Sequence, residues 1–600
     1  MKQAGGLAER RAERKYDLII LGAGLAGLSL ARQTLLRSTK KILILDRSPK
    51  VPTPRQKVGE STVQVGGYYL SKVLDLEEYL IREQFLKYNL RFYWKRPGAA
   101  NRSYEDYSHC YIRMMSNIAG YQVNRNTLEA EILRLNRANP NCTFYSGVED
   151  LEVNLSNSGR HSVCFSAKSK KITATADWVV DTTGRARYLA KRMDLAQPNS
   201  VRHGSSFLWV DGLVNIEKLT DLSLDEILLR KDRRQTGHFP VWLATNHFVG
   251  EGFWFWIIPL QGKTSLGVVY DRKLFDEKKV DTPEKLMRWA CREFPVLARD
   301  LPHRKILDHG RFRDYSYDCA ETLSASRWAM SGESGRFSDP LYSPGSDLIA
   351  FHNTLILDAI LTADPKELAS KTALYETLVR ALYQAYIPSY AASYDVLGDQ
   401  EAFIMKYTWE LAVYFTFFVF PFVNQLFTNR EFILPFLSKL SRLGRINSGM
   451  QSLFSGFYQW KKRQSVPVAE PVLFDFTQIG PLKKSEMLFY QVGVSAADAL
   501  TLLDEHLASL KELARYFVAH VVGRVLGSPR VVSNRAFVEA IRLNDVSFDV
   551  TDFRSQWAHC SSQTEEYKWS FDPAVLAVFG QAGLEVLPSD DEMLQGVAGD

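Results

Sequence analysis

Two tryptophans stand two residues apart in the segment VGEGFWFWIIPL, residues 249–260. Successive side chains of a β-strand point to opposite faces, so Trp254 and Trp256 share one face and form a flat indole wall. Pro259 ends this wall, although proline is unusual within a buried strand. A rigid wall of two indoles is suited to keeping two molecules apart, which predicts a barrier inside a site.

A second chemical pattern is the glycine-rich stretch GAGLAG. It follows an apolar strand at 16–21 and begins a helix that runs to about Arg37, and KILILD at 41–46 is the next strand. Glycines let the backbone approach a pyrophosphate at a helix N-terminus, and an acid about 20 residues further on can bind ribose hydroxyls. We therefore expect a dinucleotide to be held by Gly22, Ala23, Gly24, Leu25, Ala26, Gly27, Asp46 and Arg47.

Two later strands end in turns, DWVVDTTGR at 177–185 and WAMSGESG at 328–335. Together with the glycine motif, these turns resemble FAD enzymes of the aromatic hydroxylase type. The resemblance implies that the dinucleotide is FAD and that the turns contact it through Asp181, Gly184, Gly332 and Glu333. The family commonly carries Asp at the last of these positions.

Arg125 lies in YQVNRNTLEAEIL, residues 121–133, which resembles a segment that carries an arginine close to the flavin in the same group. The alternative is that Arg125 is a solvated charge at the start of a helix.

The bulk composition is that of an ordinary globular protein. The chain has 600 residues, of which 46% are hydrophobic and 24% charged, so we expect two or three domains with ample cores. A net charge of +6 over this length gives no indication of nucleic acid binding. The six cysteines form no C-x-x-C pair, so we predict no metal site, and they fit a reducing cytoplasm.

The predicted fold class is α/β, with an FAD-binding core of the aromatic hydroxylase or glutathione reductase type, a β-sheet substrate face and a helical C-terminal region. Strand patterns become rare after residue 395, and helical spacing replaces them. The expected parts are a flexible N-terminus (1–14), a core (15–395) with nucleotide-binding parts at 15–200 and 310–395 and a substrate-face sheet at 201–309, and a mainly helical region (396–600).

Residues 411–427 are almost wholly apolar. A membrane-spanning helix needs about 20 such residues, and this run is shorter and interrupted by Pro421. Three alternatives remain open: a buried helix or pocket wall, a peripheral contact with a membrane surface, or a true span.

The six residues from Trp254 to Pro259 fit the pattern W-x-W-x-I-P, which resembles the signature of flavin-dependent halogenases. VGES at 58–61 looks like their strap between the flavin and substrate sites, and DPLYSPG at 339–345 looks like their halide and flavin-ring loop. The likeness runs from about residue 15 to 395. In that family reduced FAD and oxygen oxidise chloride or bromide to hypohalous acid, and a separate NAD(P)H-dependent flavin reductase supplies the reduced FAD.

The family directs hypohalous acid to the substrate with a lysine, while the indole wall keeps the substrate away from the oxidant. FLKYNLRFYW at 85–94 resembles the segment that carries this lysine, which selects Lys87; Lys57 and Lys95 are the nearest rivals. An ammonium can donate to hypohalous acid, or lose its proton in a dry site and attack it. The resemblance also implies that Glu60 in the strap is catalytic and that Gly59 and Ser61 contact the cofactor.

The halide loop departs from the family pattern. The family offers two backbone N–H groups to the anion, whereas this chain has Ser343, Pro344 and Gly345, and proline has no N–H. One donor is therefore missing unless the loop uses Gly345 and Ser346. The resemblance further implies that the flavin is contacted by Asp339, Pro340, Gly345 and Ser346.

The substrate expected from the resemblance is an electron-rich aromatic other than free tryptophan. Tryptophan-specific members carry Glu where Asp339 and Tyr342 stand, and Asp-Pro looks more like the phenol- and pyrrole-directed branch. Aromatic residues after 396, including Tyr407 and Trp409, predict either a hydrophobic tunnel for a small or carrier-bound aromatic or plain helix packing.

Two further functions remain as alternatives. One is an FAD-dependent monooxygenase or dehydrogenase on the same scaffold, which Pro344 favours and the intact W-x-W-x-I-P opposes. The other is a lipid- or carrier-binding protein with a vestigial flavin site.

Overall fold

The apolar run before the glycine motif forms the central strand of a parallel sheet. The computed structural model describes residues 14–236, 240–464 and 470–580. Nearly all of the expected flexible N-terminus and the last 20 residues of the C-terminal region lie outside these ranges.

Alternating and continuous apolar runs give the strands. They are β1 (Arg14–Leu21), β2 (Ile42–Leu45), β3 (Phe85–Lys87), β4 (Leu90–Trp94), β5 (Ser108–Tyr111), β6 (Gly120–Gln122), β7 (Cys142–Tyr145), β8 (Glu149–Asn154), β9 (His161–Ala167), β10 (Lys170–Asp181), β11 (Ala196–Gln197), β12 (His203–Asp211), β13 (Thr245–Gly250), β14 (Phe253–Leu260), β15 (Lys263–Asp271), β16 (Ile306–Phe312), β17 (Asp318–Cys319), β18 (Trp328–Met330) and β19 (Leu473–Asp475).

Helices join these strands and dominate the C-terminal part. They are α1 (Leu25–Arg37), α2 (Gln64–Tyr68), α3 (Glu77–Glu83), α4 (Arg125–Ala138), α5 (Tyr188–Arg192), α6 (Leu224–Leu228), α7 (Lys231–Thr236), α8 (Pro283–Glu293), α9 (Gly345–Leu361), α10 (Pro365–Ala391), α11 (Gln400–Tyr414), α12 (Phe420–Val423), α13 (Arg430–Gln464), α14 (Gly480–Leu488), α15 (Ala496–Val525), α16 (Arg530–Ser533), α17 (Arg535–Ala540) and α18 (Val550–Cys560).

The chain divides into two compact units, and the first carries the glycine motif. It comprises the chain up to Gln84, Val123–Asn199 and Tyr315–Tyr383. Its sheet has the order β7-β2-β1-β10-β9-β8, with β18 also paired to β10. The pairs among β7, β2, β1, β10 and β18 are parallel, so the turns that follow β1, β10 and β18 lie at one edge of the sheet.

The second unit comprises Phe85–Gln122, Ser200–Asp314 and the chain from Gln384 onwards. Its sheet has the order β16-β12-β15-β14-β13-β4-β5-β19. One face packs a hydrophobic core that includes Phe253, Phe255 and Ile257 of β14 together with Trp289 and Phe294. The intervening residues of β14 therefore point to the opposite face.

This division differs from the expected boundaries in two places. Residues 85–122 belong to the second unit because β4 pairs with β13 and β5 pairs with β4. The C-terminal region also belongs to this unit, because β19 pairs with β5 and its helices cover the sheet. The predicted fold class is confirmed: an α/β core, a substrate-face sheet and a helical C-terminal part are all present.

The apolar segment 411–427 is buried. Among the described residues, one helical stretch, Gln400–Val423, is long and apolar enough to cross a membrane by composition, with mean hydropathy 1.2. However, 78% of its most apolar window is buried inside the protein, as in the core helix of a globular protein. The buried-helix alternative is therefore favoured over the two membrane alternatives, since none of the exposed large apolar side chains of the described residues lies within 411–427.

Candidate active site

The glycine turn is held in place by close backbone contacts. Gly22 has φ of +105°, and a Cβ there would lie 2.6 Å from the carbonyl oxygen of Thr182. A Cβ on Gly27 would lie 2.4 Å from Thr182 Oγ1, which donates to the carbonyl oxygens of Leu21 and Gly22. Thr182 belongs to the D-T-T-G-R turn, and its hydroxyl thus fixes the backbone of the glycine motif. The presence of that turn in the sequence was the signal that could have indicated this role.

Gly24 leaves room for a ligand. It caps α1 without a side chain, and a Cβ built on it meets no atom within 4 Å. The first N–H groups of α1 have no acceptor within the helix, and the helix dipole favours an anion there. Open space and unused donors at one point fit the pyrophosphate of FAD.

Asp46 has a second role that the sequence did not predict. Its carboxylate accepts hydrogen bonds from the N–H groups of Ala23 (2.7 Å) and Ser48 (2.7 Å), so it fixes the glycine turn. Each carboxylate oxygen can accept a further bond, which leaves ribose binding available. The neighbouring Arg47 is exposed.

Arg125 supports the strap at 58–61 instead of standing alone in solvent. Its guanidinium donates to the Val58 carbonyl (2.9 Å) and to Glu129, which also pairs with Lys57. Gly59 has φ of +87°, a left-handed conformation that favours glycine, and a Cβ there would lie 3.0 Å from the guanidinium. The Glu60 carbonyl accepts from Val123 N–H, and the side chains of Glu60 and Ser61 are buried.

The two later turns lie against the glycine motif. A Cβ on Gly332, at φ of +64°, would meet Ala26 and Ile349. Asp181 is fully buried, and its carboxylate accepts from the N–H groups of Thr183 and Leu189, so it shapes the turn around Gly184.

Glu333 lies near two arginines. Burial raises the pKa of Glu333, and Arg185 and Arg125 oppose this rise.

Sequence reasoning missed Asn353 of α9. Its side-chain amide donates to the Ala26 carbonyl (3.1 Å) and to the Ser29 hydroxyl, and these bonds hold α9 against α1.

The halide loop offers its donors one residue later than expected. The Ser343 N–H already donates to the Pro340 carbonyl (2.8 Å), and Pro344, the residue that caps α9, has no N–H. The N–H groups of Gly345 and Ser346 therefore begin the helix and are the ones available to an anion. Asp339 is fully buried, and it accepts from Leu341 N–H and the Tyr315 hydroxyl, so it holds the loop together.

Three buried polar atoms near this loop have no hydrogen-bond partner among the described residues: Ser338 Oγ, Ser346 Oγ and His352 Nε2. Buried polar groups are usually satisfied, so such a concentration fits a bound polar group at this place. Every residue predicted to contact the flavin or the halide belongs to the first unit.

The second unit holds Lys87 and the indole wall. Lys87 ends β3 and is only 5% exposed. The other two candidates for the halogen-directing lysine, Lys57 and Lys95, are both less buried than Lys87. Lys57 pairs with Glu129, and Lys95 pairs with Glu293 near the surface. The prediction selected the most buried of the three lysines.

The indoles of Trp254 and Trp256 are buried, with ring centroids 5.6 Å apart. Their N–H groups donate to the hydroxyls of Tyr394 (2.6 Å) and Ser265 (3.0 Å). Pro259 is tolerated because β13 pairs with β14 only as far as Ile257, so no ladder bond is lost on that side.

We call the sheet face that carries these indoles the aromatic face; its members include Phe92, Trp94, His247, Trp254 and Trp256. Helix α11 covers it, with Phe403 and Tyr407 at 4.6 and 5.2 Å from Phe92 between ring centroids. Among the described residues, no cluster of three or more His, Cys, Asp or Glu could hold a metal ion.

Comparisons with known proteins agree with this geometry. No family model matches the chain. Flavin-dependent halogenase chlA of Dictyostelium discoideum is 25% identical over 436 residues, which are 68% of this chain and 71% of that protein. Tetracycline 7-halogenase of Kitasatospora aureofaciens is 24% identical over 360 residues, which are 56% of this chain and 61% of that protein.

The predicted resemblance to flavin-dependent halogenases is therefore confirmed. The chain also shares its fold with halogenase PltM, solved in complex with phloroglucinol and FAD, at a TM-score of 0.56 and 16% identity over 83% of this chain and 96% of that chain. FAD, a halide and oxygen are accordingly its cofactor and co-substrates.

Proposed function

We propose that this halogenase acts on an electron-rich, hydrophobic aromatic of the phenol or pyrrole type, either free or attached to a carrier protein, and that Lys87 delivers the halogen. The observation that carries this proposal is a buried lysine in the unit whose sheet presents the aromatic face. Apolar walls with one convergent cation suit a substrate that is flat, apolar and reactive toward electrophiles.

The residues of the first unit would hold the cofactor. Reduced FAD, when bound, supplies with oxygen the oxidant that converts halide to hypohalous acid. Gly24 and the start of α1 would bind the pyrophosphate, and Asp46 would bind the ribose. The N–H groups of Gly345 and Ser346 would hold the halide.

Lys87 would then orient the hypohalous acid by donating an N–H to its oxygen, or would carry the halogen as a haloamine. The indoles of Trp254 and Trp256 would keep the aromatic substrate from the oxidant. A dry setting strengthens the hydrogen bond from the ammonium, because water does not compete for it.

Two relatives support the substrate class by their names. One is the pyrrole-2-carbonyl carrier-protein brominase of Pseudoalteromonas luteoviolacea, 30% identical over 113 residues; the other is PltM, which was solved with a phenolic compound. We further propose that a separate NAD(P)H-dependent reductase supplies reduced FAD, and that the enzyme works in the cytoplasm. The six cysteines are free thiols, as a reducing compartment would leave them.

The decisive experiment supplies the purified enzyme with chemically reduced FAD, oxygen, bromide and an electron-rich phenol. We expect a brominated phenol that disappears when bromide is omitted. Lys87→Ala should abolish bromination while flavin binding and peroxide formation persist. Lys95→Ala is the matched control and should stay active.

A hydroxylated phenol without bromination would replace this proposal with a monooxygenase activity. Full bromination by Lys87→Ala would remove the lysine from its proposed role.

A further inference from the structure

Helix α11 carries a buried ion pair that the function proposed so far does not use. Lys406 and Glu410 stand one helical turn apart, and their side chains are 0% and 9% exposed. The Lys406 ammonium donates to Glu410 Oε1 (2.5 Å), to the Ser389 carbonyl (2.8 Å) and to the Ser393 hydroxyl (2.8 Å). An ammonium has three N–H donors, so these bonds satisfy the charged lysine.

The two carboxylate oxygens of Glu410 are used unequally. Oε1 accepts a second bond, from the side-chain amide of Gln451 in α13 (3.0 Å). Oε2 is buried as well, and it has no hydrogen-bond partner among the described residues. Burial removes the hydration of a carboxylate oxygen, so nearly all such oxygens have a donor in proteins or their complexes. Oε2 is therefore available to a donor group of a ligand.

A row of four aromatic rings begins and ends beside this ion pair. Neighbouring ring centroids in the row are 6.2, 4.8 and 6.4 Å apart, and its members in order are Tyr414, Phe418, Tyr386 and Tyr390. The first ring, Tyr414, lies one helical turn beyond Glu410 on α11. The last ring, Tyr390, directly follows Ser389, whose carbonyl binds Lys406. Flat, apolar side chains with one charged acceptor are typical of a site for an aromatic molecule that carries a hydrogen-bond donor.

The same side of α11 also faces the sheet of the second unit. Residues three, four and seven positions apart share one side of a helix, so Glu410 lies on the side that carries Phe403 and Tyr407. Both of these rings pack against Phe92 of the aromatic face. Glu410 thus belongs to the helix surface that covers the sheet face proposed above to receive the substrate.

We propose that Glu410 determines substrate specificity: its Oε2 accepts a hydrogen bond from an aromatic O–H or N–H, and the row of four rings packs against the rest of the molecule. This inference deepens the proposed function and rests on it, because it restricts the substrate to phenols and pyrroles with a free donor. A hydrogen bond to a carboxylate is stronger than one between neutral groups, so one oxygen can distinguish two molecules of similar shape. Lys406 holds the carboxylate in position.

Two pairs of ligands of nearly equal shape test the proposal on the FAD-loaded enzyme. Phenol is compared with toluene, and pyrrole with thiophene; only the first member of each pair has an O–H or N–H donor. Ligand-detected NMR titration measures their dissociation constants without turnover. We expect the wild type to bind the donor of at least one pair at least about tenfold more tightly than its isostere. Which pair shows the preference distinguishes a phenol from a pyrrole site.

Three variants test whether Glu410 causes this preference. Glu410→Gln keeps the shape of the side chain and removes its charge. The double variant Lys406→Met with Glu410→Leu removes both charges, so that no buried ammonium is left unpaired. Glu539→Gln is the matched control, because Glu539 is a helical glutamate of the same unit whose pair with Arg535, also at i,i+4 spacing, is exposed. FAD binding and thermal midpoints of all variants identify any that misfold.

Both Glu410 variants should lose most of the preference for the donor ligand, and Glu539→Gln should retain it. In bromination assays, KM for the phenol should rise at least about tenfold in Glu410→Gln, with a smaller change in kcat, because Lys87 and the halide loop are unaltered.

Equal affinity of the wild type for both members of each pair would overturn the inference, as would a preference that the double variant retains. Selective binding of the donor ligands without bromination would leave the site in place and remove the proposed function. Bromination without any such preference would keep the proposed function and remove Glu410 from substrate recognition.

Discussion

The indole N–H of Trp254 donates to the hydroxyl of Tyr394 over 2.6 Å, and both side chains are buried. Tyr394 also lies against His203, with ring centroids 4.0 Å apart. A residue that precedes the C-terminal helices thus fixes the first indole of the W-x-W-x-I-P motif. The last residues of the expected core therefore take part in building the aromatic face.

Tyr394→Phe should lower the free energy of unfolding by about 1–3 kcal/mol, because the buried indole N–H of Trp254 would lose its acceptor. Urea unfolding of the apoenzyme measures this. Tyr188→Phe is a suitable comparison, since its half-buried hydroxyl donates to the Leu151 carbonyl. A loss no larger than that of the comparison variant would mean that the indole finds another acceptor.

Gly267 allows the second indole to lie flat. A Cβ there would stand 2.4 Å from Trp256 ring atoms and 2.8 Å from Phe207 Cβ. Gly267→Ala should therefore cost about 1–3 kcal/mol by overpacking and reduce bromination. Gly444→Ala in α13, where a Cβ meets nothing within 4 Å, should be neutral or stabilise by up to about 1 kcal/mol. Equal stability of both variants would contradict this account of Trp256.

Local sequence patterns were sufficient to predict the positions of many residues of the candidate site. The period of two placed Trp254 and Trp256 on one face, and the strand-turn-helix pattern placed Gly22, Gly24 and Gly27 at the edge of a parallel sheet. These features depend on neighbouring residues, so the sequence reveals them directly. The burial of Lys87 followed from the resemblance, because lysine type alone indicates a surface residue.

Long-range pairing could not be read from the chain. β19 joins β5 across more than 360 residues, and residues 85–122 cross into the second unit through β4. The acceptor role of Asp46 and the position of His247 depend on backbone groups that only the fold brings close. No periodicity encodes such contacts, which explains why the expected domain boundaries differ there.

Gly24→Ala should weaken FAD binding without changing the stability of the folded protein. The new methyl group meets no protein atom, so the thermal midpoint of the apoenzyme should stay near that of the wild type. The methyl group would occupy the space expected for the pyrophosphate, and we expect at least a tenfold loss of FAD affinity by fluorescence titration. Gly27→Ala should instead destabilise the protein itself, because its Cβ would lie 2.2 Å from the Gly22 carbonyl oxygen. Unchanged FAD affinity in Gly24→Ala would place the pyrophosphate elsewhere.

Glu401 makes the folding stability of the second unit depend on pH. It is buried beside Lys461, His520 and Arg524 at 2.7–3.0 Å. Burial alone would raise the pKa of Glu401, but Lys461, His520 and Arg524 together hold it well below its ordinary value. Since the folded pKa is depressed, this stabilisation is complete above the unfolded pKa of about 4.3 and is lost as the pH falls below it.

Glu401→Gln should therefore lower stability at pH 7 by about 3–5 kcal/mol and flatten its decrease below pH 4.3. Thermal unfolding across a pH series measures both effects. Glu539→Gln, which breaks an exposed pair with Arg535, should change neither. A wild-type acid transition that Glu401→Gln leaves intact would assign the pH dependence to other carboxylates.

Pro344→Ala tests the halide loop. Pro344 precedes α9 with φ of −76°, a conformation that alanine adopts without strain, and the substitution adds the N–H that this position lacks. One charge-assisted hydrogen bond contributes about 1.5–3 kcal/mol, so KM for bromide should fall at least tenfold while FAD affinity stays constant. Pro340→Ala, in the same loop, is the control and should leave KM unchanged. An unchanged KM in Pro344→Ala would contradict this prediction: the new N–H would then not reach the anion, and the halide would be held by Gly345 and Ser346 without a further donor.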